Sequence, residues 1–276
     1  MKIGIVGLGL IGGSLAMSIR KQTDHTVFGY DIDPQVMLRA KAVEAIHDDL
    51  TDDLLPVCDI VLVALFPQLC ADWIIQHSDS FGPKALVIDC AGVKRCVCRQ
   101  VEPVAAKHSW TYIGGHPMAG REFSGFASAR ANLFENASMI LCPAPEVGIE
   151  QREAAKAFFL EAGFKMVRFC TPEAHDQMIA YTSQLAHVVS GAYIKNPLAP
   201  SHKGFSAGSF LDMTRVARMN EVMWTELFLE NNDLLLPALD DLILRLNQYR
   251  DALASGDPEK VLPVLREGRI AKEALD

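Results

Sequence analysis

The chain has 276 residues, half of them hydrophobic, with 26 basic against 34 acidic side chains and a formal net charge of −8. This composition fits a globular protein with room for a nucleotide-binding domain and a second domain, and the acidic balance argues against nucleic acid and anionic membranes as partners. The seven cysteines are scattered and lack CxxC or Cys/His ligand spacing. The N-terminus opens directly on a strand, and no apolar run approaches the ~20 residues of a bilayer span. We therefore expect a cytoplasmic protein with reduced, mainly buried thiols, no bound metal and no targeting segment.

Residues 2–6 read as a short buried strand. Gly7-Leu8-Gly9-Leu10-Ile11-Gly12 follows at once and opens into a helix. The first glycine suits a tight turn, the second a close approach of pyrophosphate to the backbone, and the third helix-on-strand packing. Residues 26–30 form a second strand ending in Asp31, about 20 residues past the glycines, where a carboxylate accepts hydrogen bonds from the adenosine ribose and repels a 2′-phosphate. The expected cofactor is NAD rather than NADP. Asp33, before Pro34, reads as a solvated turn carboxylate.

Residues 59–65 and 85–89 are continuous apolar runs suited to central parallel strands, whose carboxyl ends should border a ligand. The second is followed by Cys90-Ala-Gly-Val-Lys94 and a helical stretch to about 107. A short strand over 111–114 leads to Gly115-His-Pro-Met-Ala-Gly-Arg-Glu122. Histidine before proline is held extended or in a turn, so His116 is either an acid/base group beside the dinucleotide or a surface loop histidine. A strand over 138–142, a helix over 150–162 and an edge strand over 165–169 complete a first domain, 1–170. From Thr171-Pro-Glu the pattern turns helical. The first helix runs to about 195 and carries His187 among apolar neighbours, where a core role is the commoner one. A loop spans 196–208, a helix covers 209–217, and a long amphipathic stretch interrupted by Pro237 reaches about 253. The last helix starts at Asp257-Pro258. The fold class is thus α/β, a Rossmann-type, mostly parallel sheet domain followed by an all-helical domain over 171–276. The apolar face of that half suggests burial against a second subunit, making a homodimer.

These segments resemble the prephenate/arogenate dehydrogenase family of tyrosine biosynthesis. The resemblance is carried by the glycine loop, Asp31, Asp89-x-x-Gly-Val-Lys94, His116-Pro-Met-Ala-Gly-x-Glu122, Ser183-x-Leu-x-His187 and Asp212-x-Thr-Arg215. It implies an NAD-dependent oxidative decarboxylation of prephenate or arogenate. His116 is then the catalytic histidine that accepts the 4-hydroxyl proton, Arg215 holds a substrate carboxylate and His187 binds the side chain. Arg121 and Glu122 gate the site or contact that side chain. Two positions depart from the family pattern. Gly92 stands where members often have a serine contacting nicotinamide and substrate, and Gln184 replaces the first histidine of the helix motif. The readings left beside this one are a related dehydrogenase of 3-hydroxy acids, ketopantoate or cyclic imines, and a dinucleotide-sensing regulator without turnover.

Overall fold

The computed structural model describes residues 1–121 and 123–275. In chain order come β1 (Lys2–Val6), α1 (Leu10–Gln22), β2 (Thr26–Tyr30), α2 (Pro34–Ala42), β3 (Asp48–Asp49), β4 (Ile60–Val63), α3 (Pro67–Gln76), β5 (Leu86–Asp89), α4 (Arg95–Ala105), β6 (Thr111–Pro117), β7 (Ser138–Pro143), α5 (Ile149–Glu161) and β8 (Met166–Phe169). The strands form one sheet of order β3-β2-β1-β4-β5-β6-β7-β8. All neighbours are parallel except β6 and β7. The order reverses between β1 and β4, and the crevice at their carboxyl ends is the place where such sheets take ligands.

Side chains alternate across this sheet, so one apolar run builds two cores. Ile3, Ile5, Leu62 and Ile88 face Leu15 and Ile19 of α1 and Phe158 and Phe159 of α5. Val61, Val63 and Val87 face Ile74 of α3 and Val97 and Val101 of α4 on the other side. Each fully buried branched or aromatic side chain contributes about 1.5–3 kcal/mol.

Asp33 does more than the sequence suggested. Its carboxylate accepts the Gln35 N–H at 2.8 Å and caps α2, with Pro34 in the first turn. Strand β6 also runs beyond Gly114 to include His116 and Pro117. Strand β7 lies antiparallel against it and pairs Gly114 with Cys142 and His116 with Ile140.

The remaining chain is helical. α6 (Pro172–Ile179), a π-turn (Ala180–Gln184) and α7 (Leu185–Tyr193) form one continuous rod. Thr171 caps it by accepting the Ala174 N–H at 3.2 Å. Then follow α8 (Gly208–Thr214), a 3-10 turn (Arg215–Ala217), α9 (Glu221–Leu229), α10 (Asn232–Ala254) and α11 (Pro258–Glu273). The long amphipathic stretch therefore breaks at Glu230 and Asn231, and α10 continues through Pro237. The break falls there because Asn231 is fully buried and its amide is committed to partners on other elements. Among the described residues no helix is long and apolar enough to cross a membrane.

Candidate active site

The glycine turn has the geometry of a phosphate cradle. Gly7 sits at φ +81°, which a side chain would strain, and a Cβ there would lie 2.6 Å from the Ala64 carbonyl oxygen just after β4. A Cβ on Gly12 would run into the Gly7 carbonyl, whereas above Gly9 the space is open for 4 Å. Helix α1 has no side-chain cap and no acid in its first turn. Its first N–H groups and positive dipole end are thus left for an anion. Asp31 closes the far side. One carboxylate oxygen accepts the Leu8 N–H at 2.8 Å and the other the Asp33 N–H at 3.0 Å, which fixes the group at the end of β2. Gly9, Leu10 and Ile11 line the adjoining cavity. An NAD diphosphate and ribose fit this donor and acceptor set.

The second half of the site is built around His116. His116 Nδ1 lies 2.8 Å from His175 Nε2, and His175 Nδ1 lies 2.7 Å from Asp176 Oδ1. His175 is 1% exposed and Asp176 fully buried. Burial raises the Asp176 carboxyl, but hydrogen bonds from His175 and from the Arg95 and Lys94 backbone N–H groups outweigh it and hold the group below the usual carboxylate range. An ionised Asp176 accepts, so His175 carries its proton on Nδ1 and offers Nε2 as acceptor. His116 then donates from Nδ1, which leaves its Nε2 unprotonated and available to the cavity it lines. Burial first, then the neighbouring His175 ring, which disfavours a second proton on the pair, and the Lys94 ammonium push His116 well below the usual imidazole range. The ring is therefore neutral, as a general base must be.

A buried ion pair lies under this relay. Lys94 Nζ binds Asp89 Oδ1 and donates to the Gly115 carbonyl at 2.5 Å, both side chains being fully buried. Tyr112 donates to the other Asp89 oxygen at 2.7 Å. Burial lowers the Lys94 ammonium, but Asp89 more than offsets this and the group stays protonated. Lys94 thereby grips the backbone one residue ahead of His116.

A polar seam joins the two halves. Arg95 Nε donates to Asp176 at 3.1 Å, and its other nitrogens reach Asn231 at 2.8 Å and Asp233 at 2.6 and 2.8 Å. Asn231 Nδ2 donates to the Asp176 carbonyl and to Gln184 Oε1. Gln184 in turn donates to the Leu227 carbonyl at 2.7 Å. Gln184, at the position of the family's first motif histidine, thus holds the helices together.

A single cavity of about 1250 Å³ brings together most of the residues singled out from the sequence: the glycine turn, Gly92, His116, Arg121, His187 and Arg215. Gly92 is crowded by α9, for a Cβ there would sit 3.0 Å from Leu227 Cδ2. A serine at position 92 would thus require the Leu227 side chain to give by a few tenths of an ångström. Arg121 donates to the Ser128 carbonyl at 3.2 Å. His187 bonds the Ser183 carbonyl through Nδ1 at 2.9 Å, and its ring packs on Trp224 with centroids 3.8 Å apart. Burial first, and then the Arg215 charge, lower its pKa against the opposing hydrogen bond to Ser183, so the ring is neutral beside the guanidinium. Glu122 lies outside the described residues. His175, Asp176, Arg95, Asn231 and Trp224 were not singled out from the sequence; Lys94 and Asp89 appeared only as motif letters.

A doubly wound sheet with an open glycine turn, a fixed carboxylate after β2 and a neutral histidine in the cavity beside that turn defines a dinucleotide-dependent oxidoreductase. Residues 15–168 match the family profile described as prephenate dehydrogenase, nucleotide-binding domain, and residues 171–267 match prephenate dehydrogenase, dimerization domain. The chain belongs to the prephenate dehydrogenase family. It is 31% identical to cyclohexadienyl dehydrogenase of Zymomonas mobilis, over 99% of this chain and 95% of that one. Its structure resembles that of Synechocystis arogenate dehydrogenase, with a TM-score of 0.82, 27% identity and full coverage of both chains. It also resembles prephenate dehydrogenase from Aquifex aeolicus in complex with hydroxyphenyl propionate and NAD+, with a TM-score of 0.85 and 27% identity over 100% of this chain and 98% of that one.

Proposed function

We propose that the chain catalyses the NAD-dependent oxidative decarboxylation of prephenate to 4-hydroxyphenylpyruvate, or of arogenate to tyrosine. The observation that carries this reading is the His116–His175–Asp176 relay, which leaves His116 Nε2 unprotonated in a cavity shared with the glycine turn. Gly7 to Gly12 and the first turn of α1 hold the NAD diphosphate, and Asp31 accepts from the adenosine ribose. Bound there, NAD supplies the acceptor for the hydride leaving C4 of the ring, while the ring carboxylate departs as carbon dioxide and the ring becomes aromatic.

His116 accepts the proton of the 4-hydroxyl. The positive charge it gains is stabilised through Nδ1–H and His175 by the Asp176 carboxylate, with the Arg95 seam keeping that carboxylate in place. Arg215 binds a substrate carboxylate with its planar fork, and His187 and Arg121 meet the side chain. We assign nucleotide binding to 1–170, and substrate binding and dimerisation to 171–276. Exposed Leu236, Ile243, Leu244, Leu262, Leu265 and Ile270 on α10 and α11 support a homodimer.

NADH formation by purified protein, measured with prephenate and with L-arogenate, each with NAD and with NADP, tests the reading. Turnover of at least one substrate with NAD preferred is expected. Bound NAD without turnover of either would redirect the assignment to hydroxy-acid or imine substrates. Arg215→Ala is expected to raise the substrate KM by about 10–100-fold, as losing a charge-assisted hydrogen bond of ~1.5–3 kcal/mol requires. The NAD KM should stay near normal, and equal effects on both would make the arginine structural.

A further inference from the structure

Cys142 and Cys170 do not line the cavity and take no part in the chemistry above. Cys142 is near the end of β7, and Cys170 follows β8. These strands are parallel and in register from Ser138 with Met166 to Leu141 with Phe169. The Cys170 N–H donates to the Leu141 carbonyl at 3.1 Å and so carries the ladder one residue further, opposing the two cysteines. Opposed residues in a parallel ladder point to the same face, and the two Sγ atoms stand 3.7 Å apart. Neighbouring strands run about 4.8 Å apart, inside the ~4.4–6.8 Å of Cα separation that a disulfide spans. Rotation about the side-chain bonds together with a small shift of the strand ends brings the sulfurs to bonding distance.

The two thiols differ in the way that oxidation chemistry requires. Cys142 is fully buried and Cys170 half-buried. A hydrogen bond from Cys142 is the main cause that holds the Cys170 thiol below the usual thiol range, with Arg168 adding to it and burial opposing. Burial instead pushes Cys58 up to about 11 and Cys96 up to about 12. Cys170 is therefore the more acidic thiol, and its resolving partner is already in contact.

We propose that Cys142 and Cys170 form a dithiol modification site that hydrogen peroxide closes to a disulfide, and that closure lowers turnover through α6. The Cys170 thiolate attacks one peroxide oxygen, the O–O bond breaks, and Cys170 becomes a sulfenic acid as hydroxide leaves and is protonated to water. The Cys142 sulfur then displaces the sulfenic hydroxyl. The S–S bond forms and a second water departs. Two thiols give two electrons and two protons to one peroxide, and a dithiol reductant reverses the change. Closure draws the sulfurs together by roughly 1.7 Å. Cys170 adjoins Thr171, the cap of the helix that carries His175 and Asp176. Only this link to turnover rests on the function proposed above.

The test treats the reduced protein with hydrogen peroxide, removes the excess, alkylates, digests and maps linked peptides by mass, with turnover measured in parallel. A Cys142–Cys170 peptide pair lighter by two hydrogens is expected. Turnover should fall roughly tenfold, since displacement of a catalytic group by ~1 Å can cost up to about 10²-fold. NAD affinity should be unchanged and dithiothreitol should restore activity. Cys170→Ala, at the half-buried position, should keep basal turnover and lose the response to peroxide. Absence of the linked pair, or linkage of other cysteines, overturns the site. A linked pair with undiminished turnover overturns the coupling to α6. The mass measurement decides the site even if neither cyclohexadienol is a substrate, so the two failures are distinguishable.

Discussion

Replacing His116 by asparagine is expected to lower kcat by about 2–4 decades, the usual worth of a positioned general base, while NAD affinity stays near that of the unmodified chain. Asparagine can still donate to His175 Nε2, so the relay behind it survives and the substitution removes only the basic nitrogen. Single-turnover NADH formation alongside NAD titration separates the two readouts. Undiminished turnover would eliminate His116 as the base. The pH profile of the unmodified enzyme provides a companion measurement. The reaction needs neutral His116, and burial, helped by the neighbouring His175 ring and the Lys94 ammonium, keeps the ring neutral well below the usual imidazole range. Activity should therefore persist below pH ~6.5, where a free imidazole would already be half protonated. It should fall only as the pH drops through the depressed value. An acid limb centred at or above the ordinary value would contradict the buried, neutral ring.

Much of this site could be read from the sequence because its signals are local. The glycine turn needs closely spaced glycines between a strand and a helix, and His116 announces itself by preceding a proline. The other half of the relay gave no such sign. His175 and Asp176 stand in Pro172-Glu-Ala-His-Asp-Gln, which taken alone reads as the solvated first turns of a helix. They are buried because α6 begins against the N-terminus of α4, where the Lys94 and Arg95 backbone N–H groups need an acceptor and Asp176 supplies it. That need arises in tertiary structure and leaves no period in the chain. Asn231 was legible but passed over. Glu230-Asn-Asn-Asp233 is a polar, cap-forming interruption of an apolar stretch, yet Pro237 is the more conspicuous breaker. Helix α10 passes through Pro237, and it is α9 that stops, just before the buried Asn231 amide. Gly92 shows the same limit at one residue. The sequence records the missing hydroxyl, but only packing reveals that Leu227 of α9 lies against that position.

The Lys94–Asp89 pair makes the largest demand on stability, and Lys94→Met should expose it. Methionine nearly matches the lysine stem in volume, so the loss is electrostatic rather than a cavity. It leaves a fully buried Asp89 carboxylate with the Tyr112 hydroxyl and two backbone N–H groups but no cation. Breaking a buried pair from one side typically costs about 3–5 kcal/mol. Denaturant unfolding should register a loss of that order, and a loss below ~1 kcal/mol would mean that water or rearrangement reaches Asp89. Adding Asp89→Asn to Lys94→Met should recover part of the deficit, because the unpaired charge is then gone and the amide can still accept from Tyr112. Function carries a separate signature. Lys94 also helps to keep His116 unprotonated, so its removal should move the acid limb of kcat/KM to higher pH even in protein kept folded at low temperature. A stabilising lysine with no electrostatic hold on the base would lower the unfolding midpoint and leave that limb where it was.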